Sequence, residues 1–436
     1  MILSVCRDLS AKSRGQNTTI DCLSVQAFLQ GVAHKAAGIM DILGFKTWVG
    51  LGILAMTSAY WGYSYYTSIA NRRRRRLTVL FPKDSEKVVP TQNTPKAFKY
   101  EPAYDFDWRK TKPEQFRPFK PKYHLTMAIE NLDPNHLILF DDTYETRLEI
   151  RRALLKEHNQ QVVGITDEND ARLTATIKEL YTAIMVEYLP SRYPTIFKMT
   201  TCTMSPSSSI RNLVTGEVYP AKLAEFAPVR QALELLAKNV DEDFFILLPR
   251  SHSESSNTEE DKQTTYILHA YAACFPSGFQ PAHKIGKSLS SIHGPLPGYK
   301  EKLEKSMDRF FRKLPVGKYV KRVNWSITVD EGLYSNFDKS GFAMSRKATG
   351  MTMDDLDLNR SFLRCERQTL HRLPQSKAII FAFHTYQYPL QQIKAEGLGE
   401  QLAIAVDGLK LGNAPEIYTY KNAPKWAEAV KQYMRS

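Results

Sequence analysis

TTYILHAYAACFPSGFQPAHKIGKSLSSIHGPLPGYKEKLEKSMDRFFRKL, residues 264–314, is the stretch on which the fold reading turns. Thr264 to Phe275 is rich in β-branched and aromatic residues and reads as a strand. Pro276, Gly278 and Pro281 break it. From about Tyr299 to Leu314 the period changes: Leu303, Met307, Phe310, Phe311 and Leu314 share one helical face. Between strand and helix lies Ile292-His293-Gly294-Pro295-Leu296-Pro297-Gly298. Two prolines fix φ there, and two glycines leave room for a flat object beside the backbone. A histidine on such a loop suits an axial haem ligand, because neutral imidazole is a common iron ligand. A loop histidine that only caps the following helix is the alternative, and these residues alone leave both open.

Working outward, the C-terminal half holds several neighbouring strands. Phe244 to Pro249 (FFILLP) is a short apolar run of core-strand character. Tyr319 to Val329, Phe362 to Leu373 and Ala378 to Tyr388 read as further strands, the last two joined at Pro374-Gln375-Ser376. Helical patterns flank them: Tyr144 to His158, Asp167 to Tyr188, Pro228 to Lys238, Leu390 to Leu409 and Ala423 to Met434. A hairpin is expected over Thr195 to Tyr219, and a strand over Lys122 to Ile129. Runs of strands without alternating helices predict an antiparallel sheet, hence an α+β fold. The segments 251–263 and 338–358 read as an exposed loop and an insertion.

The N-terminal part differs in kind. Residues 1–45 form an extension without the pattern of a secretory signal. From Trp48 to Ala70 no residue is charged, and these 23 residues are enough to cross ~30 Å of hydrocarbon. Aromatic residues sit at both ends, and Arg72 to Arg76 follow at once. Residues 46–71 are therefore expected to form a single transmembrane helix, contacting lipid through residues 48–70. The arginine run predicts a single-pass membrane protein with its C-terminal domain facing the cytosol. A buried or interfacial helix beside a nuclear-localisation-like run is the alternative. Residues 72–115 read as a basic and Pro-rich linker or arm, and residues 116–436 as the folded domain.

Composition narrows the function classes. The formal net charge is +13, but the arginine run beside an apolar segment accounts for much of the excess, so no nucleic-acid partner is expected. The five cysteines are scattered without CxxC pairing, which gives neither a disulfide framework nor a zinc signature. Neither GxGxxG after a strand nor GxxxxGK[ST] occurs, and HExxH, GxSxG and the kinase motifs are missing.

Several segments together resemble one family. They are 116–127 (FRPFKPKYHLTM), 292–299 (IHGPLPGY), 308–311 (DRFF), 323–327 (VNWSI), 363–374 (LRCERQTLHRLP) and 381–390 (FAFHTYQYPL). In this order they are similar to the haem-dependent oxidative N-demethylase α-subunit family, which has many fungal and bacterial members. The resemblance implies a PAS-like antiparallel sheet flanked by helices and holding haem b. It implies oxidative demethylation, or a related monooxygenation, of a small amine, with NADPH as electron source. The family draws electrons from separate flavin and iron–sulfur partners, and this chain carries neither module.

With the resemblance in view, His293 becomes the expected iron ligand, with His384 and His124 as competitors. Arg364, Glu366, Gln368 and Leu370 share one face of their strand; Cys365, Arg367, Thr369 and His371 share the other. Arg364, Arg367 and Arg372 are the candidates for pairing with haem propionates or cofactor phosphates, where a bidentate fork fits. A structural ion-pair strand is the alternative. Two function classes remain: a membrane-tethered haem oxidoreductase, and a non-catalytic PAS-like haem-sensing or scaffold module. A glycosyltransferase-like enzyme fits the anchor but lacks a paired-Asp motif.

Overall fold

The computed structural model describes residues 98–201, 208–225, 227–250, 265–277, 279–329, 332–334 and 350–436. Ten strands occur among them: β1 (Glu130–Asn131), β2 (Val163–Ile165), β3 (Phe197–Thr201), β4 (Ser208–Asn212), β5 (Val218–Pro220), β6 (Asp243–Pro249), β7 (Tyr266–Ala272), β8 (Val320–Val329), β9 (Ser361–Arg372) and β10 (Ile379–Pro389). The main sheet has seven strands in the order β1-β8-β9-β10-β6-β7-β2, and every pairing is antiparallel. β3, β4 and β5 form a separate three-stranded sheet.

The main sheet is buried on both faces. Along β6, Phe244, Ile246 and Leu248 enter one core while Phe245 and Leu247 enter the other. β10 divides in the same way, with Ile380 and Ala382 against Ile379 and Phe383. This is why FFILLP and AIIFAF are continuous apolar runs rather than alternating ones: a strand with no wet face has no use for polar alternation. Each fully buried side chain of this size contributes about 2 kcal/mol.

Helices cover both faces. α1 (Tyr144–Val162), α2 (Ala171–Tyr181) and α3 (Val229–Asn239) supply buried residues to the first core. α2 starts at Asp170, whose carboxylate accepts from the Arg172 and Leu173 amides. It runs on into a π-helical segment, Thr182–Tyr188. The second core is covered by α4 (Leu289–His293), α5 (Glu304–Lys313), α6 (Gly399–Asp407) and α7 (Ala423–Arg435). The apolar stripe expected over 299–314 is present but interrupted. The turn Tyr299–Lys302 and α5 are separated at Leu303, which has φ −117°. A comparable break divides the helix expected over 390–409. There the turn Leu390–Ala395 is parted from α6 by Gly397, which adopts φ +74°.

Three expectations change here. The α+β, antiparallel architecture is present, but the transmembrane helix and the single-pass membrane location are corrected. No helix among the described residues is long and apolar enough to cross a membrane. The 19-residue α1 carries Glu145, Arg147, Glu149, Arg151 and Arg152, with Arg147 and Arg151 buried inside the protein, and so many charges exclude it from hydrocarbon. Residues 46–71, where that helix was expected, lie outside the described residues. The strand expected over Lys122 to Ile129 is also replaced: that segment is irregular, and only Glu130–Asn131 pairs, with β8.

Candidate functional site

The second core does not close completely. A cavity of about 290 Å³ lies between the sheet and the helices over it. Its floor is one face of the sheet: Phe245 and Leu247 from β6, Leu268 from β7, Arg322 and Asn324 from β8, Glu366, Gln368 and Leu370 from β9, and Phe381 from β10. The two-residue spacing is the strand alternation, which brings every second side chain to the same face. Antiparallel register sets Arg322 opposite Gln368 and Asn324 opposite Glu366. Four polar side chains thereby form one patch on an otherwise apolar floor. The roof is Leu289, Ile292 and His293 of α4, then Leu296, Leu303, and Met307, Phe310 and Phe311 around α5. Tyr123, Leu125, Met127 and Ile129 line one side, and Ile417, Tyr420 and Lys421 another.

His293 is fixed within this wall. It is the last residue of α4, not part of an irregular loop. Ser288 caps that helix by accepting from the Ser291 amide. The His293 Nδ1 lies 2.8 Å from the Leu289 carbonyl oxygen, which makes Nδ1 the protonated donor and directs the lone pair to Nε2. The ring stacks on Tyr299 at 5.1 Å with an interplanar angle of 18°. Between them Gly298 turns the chain at φ +72°, a conformation that a side chain would strain. Burial pushes the His293 pKa down; its bond to Leu289 opposes this, and the cations Lys284 and Arg322 add to it. The imidazole is thus held neutral, as a metal ligand must be.

The polar patch carries charge in low dielectric. Arg322 has its pKa lowered by burial, against Tyr123 and Glu366, and its Nε is buried without a hydrogen-bond partner. Glu366 is 8% exposed, and Gln368 Nε2 donates to its Oε2 at 3.0 Å. Lys284 donates to the Ile292 carbonyl at 3.0 Å, bracing α4 beside His293.

The competing histidines are elsewhere. His124 is exposed and lines no part of the cavity. On β10, Phe381 faces the cavity, so His384, three residues on, faces away. His384 is buried, with Nε2 3.3 Å from Asp241 Oδ2 and Nδ1 3.6 Å from Glu242 Oε1. It belongs to a polar cluster on the sheet's other face with Arg147, Arg151 and Asp243.

The three arginines proposed as cofactor partners serve the main chain. Arg364 donates to the Phe275 carbonyl at 2.6 Å and to the Leu333 carbonyl at 3.3 Å. Arg367 donates to the carbonyls of His136 and Leu137. Arg372 donates to the carbonyls of Leu314, Phe311 and Lys377 and to the Tyr266 hydroxyl, which secures the C-terminal end of α5. None of the three lines the cavity. Arg322, Asn324 and Lys421 do, and sequence reasoning did not single them out. Alternating polar residues in KRVNW were the available signal for the first two; nothing local marks Lys421.

An antiparallel sheet whose one face opens into an apolar cavity, with a ring-locked neutral imidazole in the wall, defines a cofactor-binding α+β domain. Residues 128–431 match the family of the haem-dependent oxidative N-demethylase, alpha subunit-like, and the chain belongs to that family. Its activity is thereby of the haem-dependent oxidative N-demethylase type, with haem as cofactor. The residues present fit that group: apolar walls for the macrocycle, His293 Nε2 without a protein partner, and the orphaned Arg322 Nε for a carboxylate.

Proposed function

We propose that this chain oxidatively removes a methyl group from a small amine, using haem b held by His293. Electrons come from NADPH through a separate flavin or iron–sulfur reductase. The observation that carries this reading is the neutral imidazole, its Nδ1 tied to Leu289, in the wall of an apolar cavity. Bound there, haem supplies the oxygen and electron chemistry that no side chain offers.

The chain's own residues do the rest. His293 would hold the iron, its own ring being fixed by the Leu289 carbonyl and by Tyr299. The aromatic and aliphatic walls keep water from the reacting centre. Arg322 would bind a haem carboxylate. Glu366, the carboxylate among the cavity's lining residues, pairs with the ammonium form of the substrate and accepts its proton. The described cysteines, Cys274 and Cys365, are buried and do not line the cavity, which supports a haem held without thioether bonds. A separate reductase fits a chain without a dinucleotide fingerprint.

The test is reconstitution of the full chain with haem, followed by incubation with N-methylated alkylamines, NADPH and a flavin reductase. A Soret band and amine-dependent formaldehyde release are expected. A chain that takes up no haem overturns the reading. A chain that takes up and reduces haem, yet releases no formaldehyde from secondary or tertiary methylamines, is a haem-sensing module instead.

A further inference from the structure

The haem reading leaves one amine in the cavity unused. Lys421 follows the short helix Ile417–Tyr420 and lines the cavity, half-buried as a residue but with its ammonium enclosed. Its Nζ donates to the Trp325 carbonyl and to Asn324 Oδ1 at 3.3 Å. It lies 5.5 Å from the ring centroids of both Tyr123 and Trp325. Among the described residues no carboxylate comes within ion-pair distance of it, whereas Lys431 has two. The guanidinium of Arg322 lines the same cavity. An enclosed ammonium beside a second cation, without a carboxylate to neutralise it, favours loss of its proton. Burial pushes the Lys421 pKa down to about 8; Glu366 opposes the shift and Arg322 adds to it.

We infer that Lys421 is a carbonyl-capturing residue, adding through its Nζ to small aldehydes that enter or form in the cavity. The nitrogen lone pair attacks the carbonyl carbon, and the proton lost from nitrogen passes to the carbonyl oxygen, giving a carbinolamine. Departure of the hydroxyl as water, with one further proton, leaves an iminium on Nζ; water reverses both steps. Glu366 is the cavity carboxylate available to carry those protons. The class of ligand is a small, unhindered aldehyde, since the amine sits among Tyr123, Trp325 and Asn324 and has little room for a bulky substituent. Removal of an N-methyl group releases formaldehyde, so Lys421 would meet the product where it forms. That last link rests on the proposed function; the capture itself needs no haem.

The test is reductive methylation of the full chain at pH 7 with limiting formaldehyde and sodium cyanoborohydride, read by peptide mass mapping. At that pH an amine titrating near 8 has about 200 times the free-base fraction of an ordinary lysine. Lower intrinsic nucleophilicity and restricted access reduce this advantage, and Lys421 is expected to carry N-methyl groups at least tenfold faster than exposed lysines such as Lys300. Lys421→Arg should remove the fast-labelling peptide while circular dichroism is unchanged. Arg322→Met should slow labelling several-fold at pH 7 and little at pH 10. Labelling of Lys421 no faster than Lys300, or a fast-labelling lysine side chain that survives Lys421→Arg, overturns the inference. His293→Ala is expected to leave the labelling order intact, so failure of the haem assignment and failure of this one are separable.

Discussion

Replacing His293 with alanine acts on the cavity at its single proposed coordinating atom, Nε2. The substitution also removes the Nδ1 bond to Leu289 and the stack on Tyr299, so absolute stability is a poor readout. The difference between haem-loaded and haem-free stability isolates the ligand. Haem present at a thousand times its dissociation constant stabilises the folded state by about 4.1 kcal/mol. A hundredfold weaker complex at the same free haem leaves about 1.4 kcal/mol. For a unit spanning Thr94–Ser436, that loss lowers the haem-induced rise in melting temperature by roughly 4 °C. The Soret and visible bands should shift or vanish in the variant, and added imidazole should restore part of them by entering the space left by the ring. His124→Ala and His384→Ala should keep the wild-type spectrum, because one is exposed and the other faces the opposite side of the sheet. A His293→Ala protein with an unchanged spectrum and an unchanged haem-induced shift refutes the assignment.

Glu366→Gln should leave the haem spectrum intact and raise the KM for amine by about 10- to 150-fold, the equivalent of one charge-assisted hydrogen bond, measured by steady-state kinetics. Arg372→Met should cost about 2–4 kcal/mol in urea unfolding, through the lost bonds to the α5 end, while haem uptake per folded chain stays at the wild-type level. A third outcome concerns pH. Burial pushes the His371 pKa down to about 4, and its Nδ1 has no hydrogen-bond partner. The folded state therefore resists a proton that the unfolded chain accepts below about 6.5, so stability present above pH 6.5 is lost as pH falls toward 4. The loss amounts to about 3 kcal/mol, and His371→Phe should flatten that limb of the stability-versus-pH curve.

Much of the architecture was legible because it depends on local composition. FFILLP and AIIFAF read as strands from β-branched and aromatic density, and β6 and β10 lie there. The amphipathic stripe from Leu303 to Leu314 marked α5. Helix ends were less legible. Nothing in HGPLPGY announces that Leu289–His293 closes one helical turn, since that depends on the Ser288 cap and on Lys284 reaching the Ile292 carbonyl. The same limit hid Lys421, which reaches the cavity only because the C-terminal helices fold back over β8. The Lys122 to Ile129 strand failed for a related reason: its apolar residues Leu125, Met127 and Ile129 alternate to wall a cavity, not to pair with a neighbour.

The arginines of β9 were misleading for a physical reason that also explains the site. Charge on both faces of a strand looks like a cofactor edge when one face is assumed to be wet. Here neither face is wet, so each charged side chain must find its partners inside the protein. Arg364 and Arg367 find them in the carbonyls of Phe275, His136 and Leu137. At the cavity floor Arg322 Nε finds none. The distinction between the arginines of this sheet is therefore placement rather than burial: Arg322 lines the cavity, whereas Arg364 and Arg367 turn to main-chain carbonyls and do not line it. A guanidinium that keeps a buried donor against an open cavity retains the unfavourable desolvation until an anion arrives. Placement likewise separates His384, which lies 3.3 Å from Asp241 on the sheet's other face, from His293, which lines the cavity.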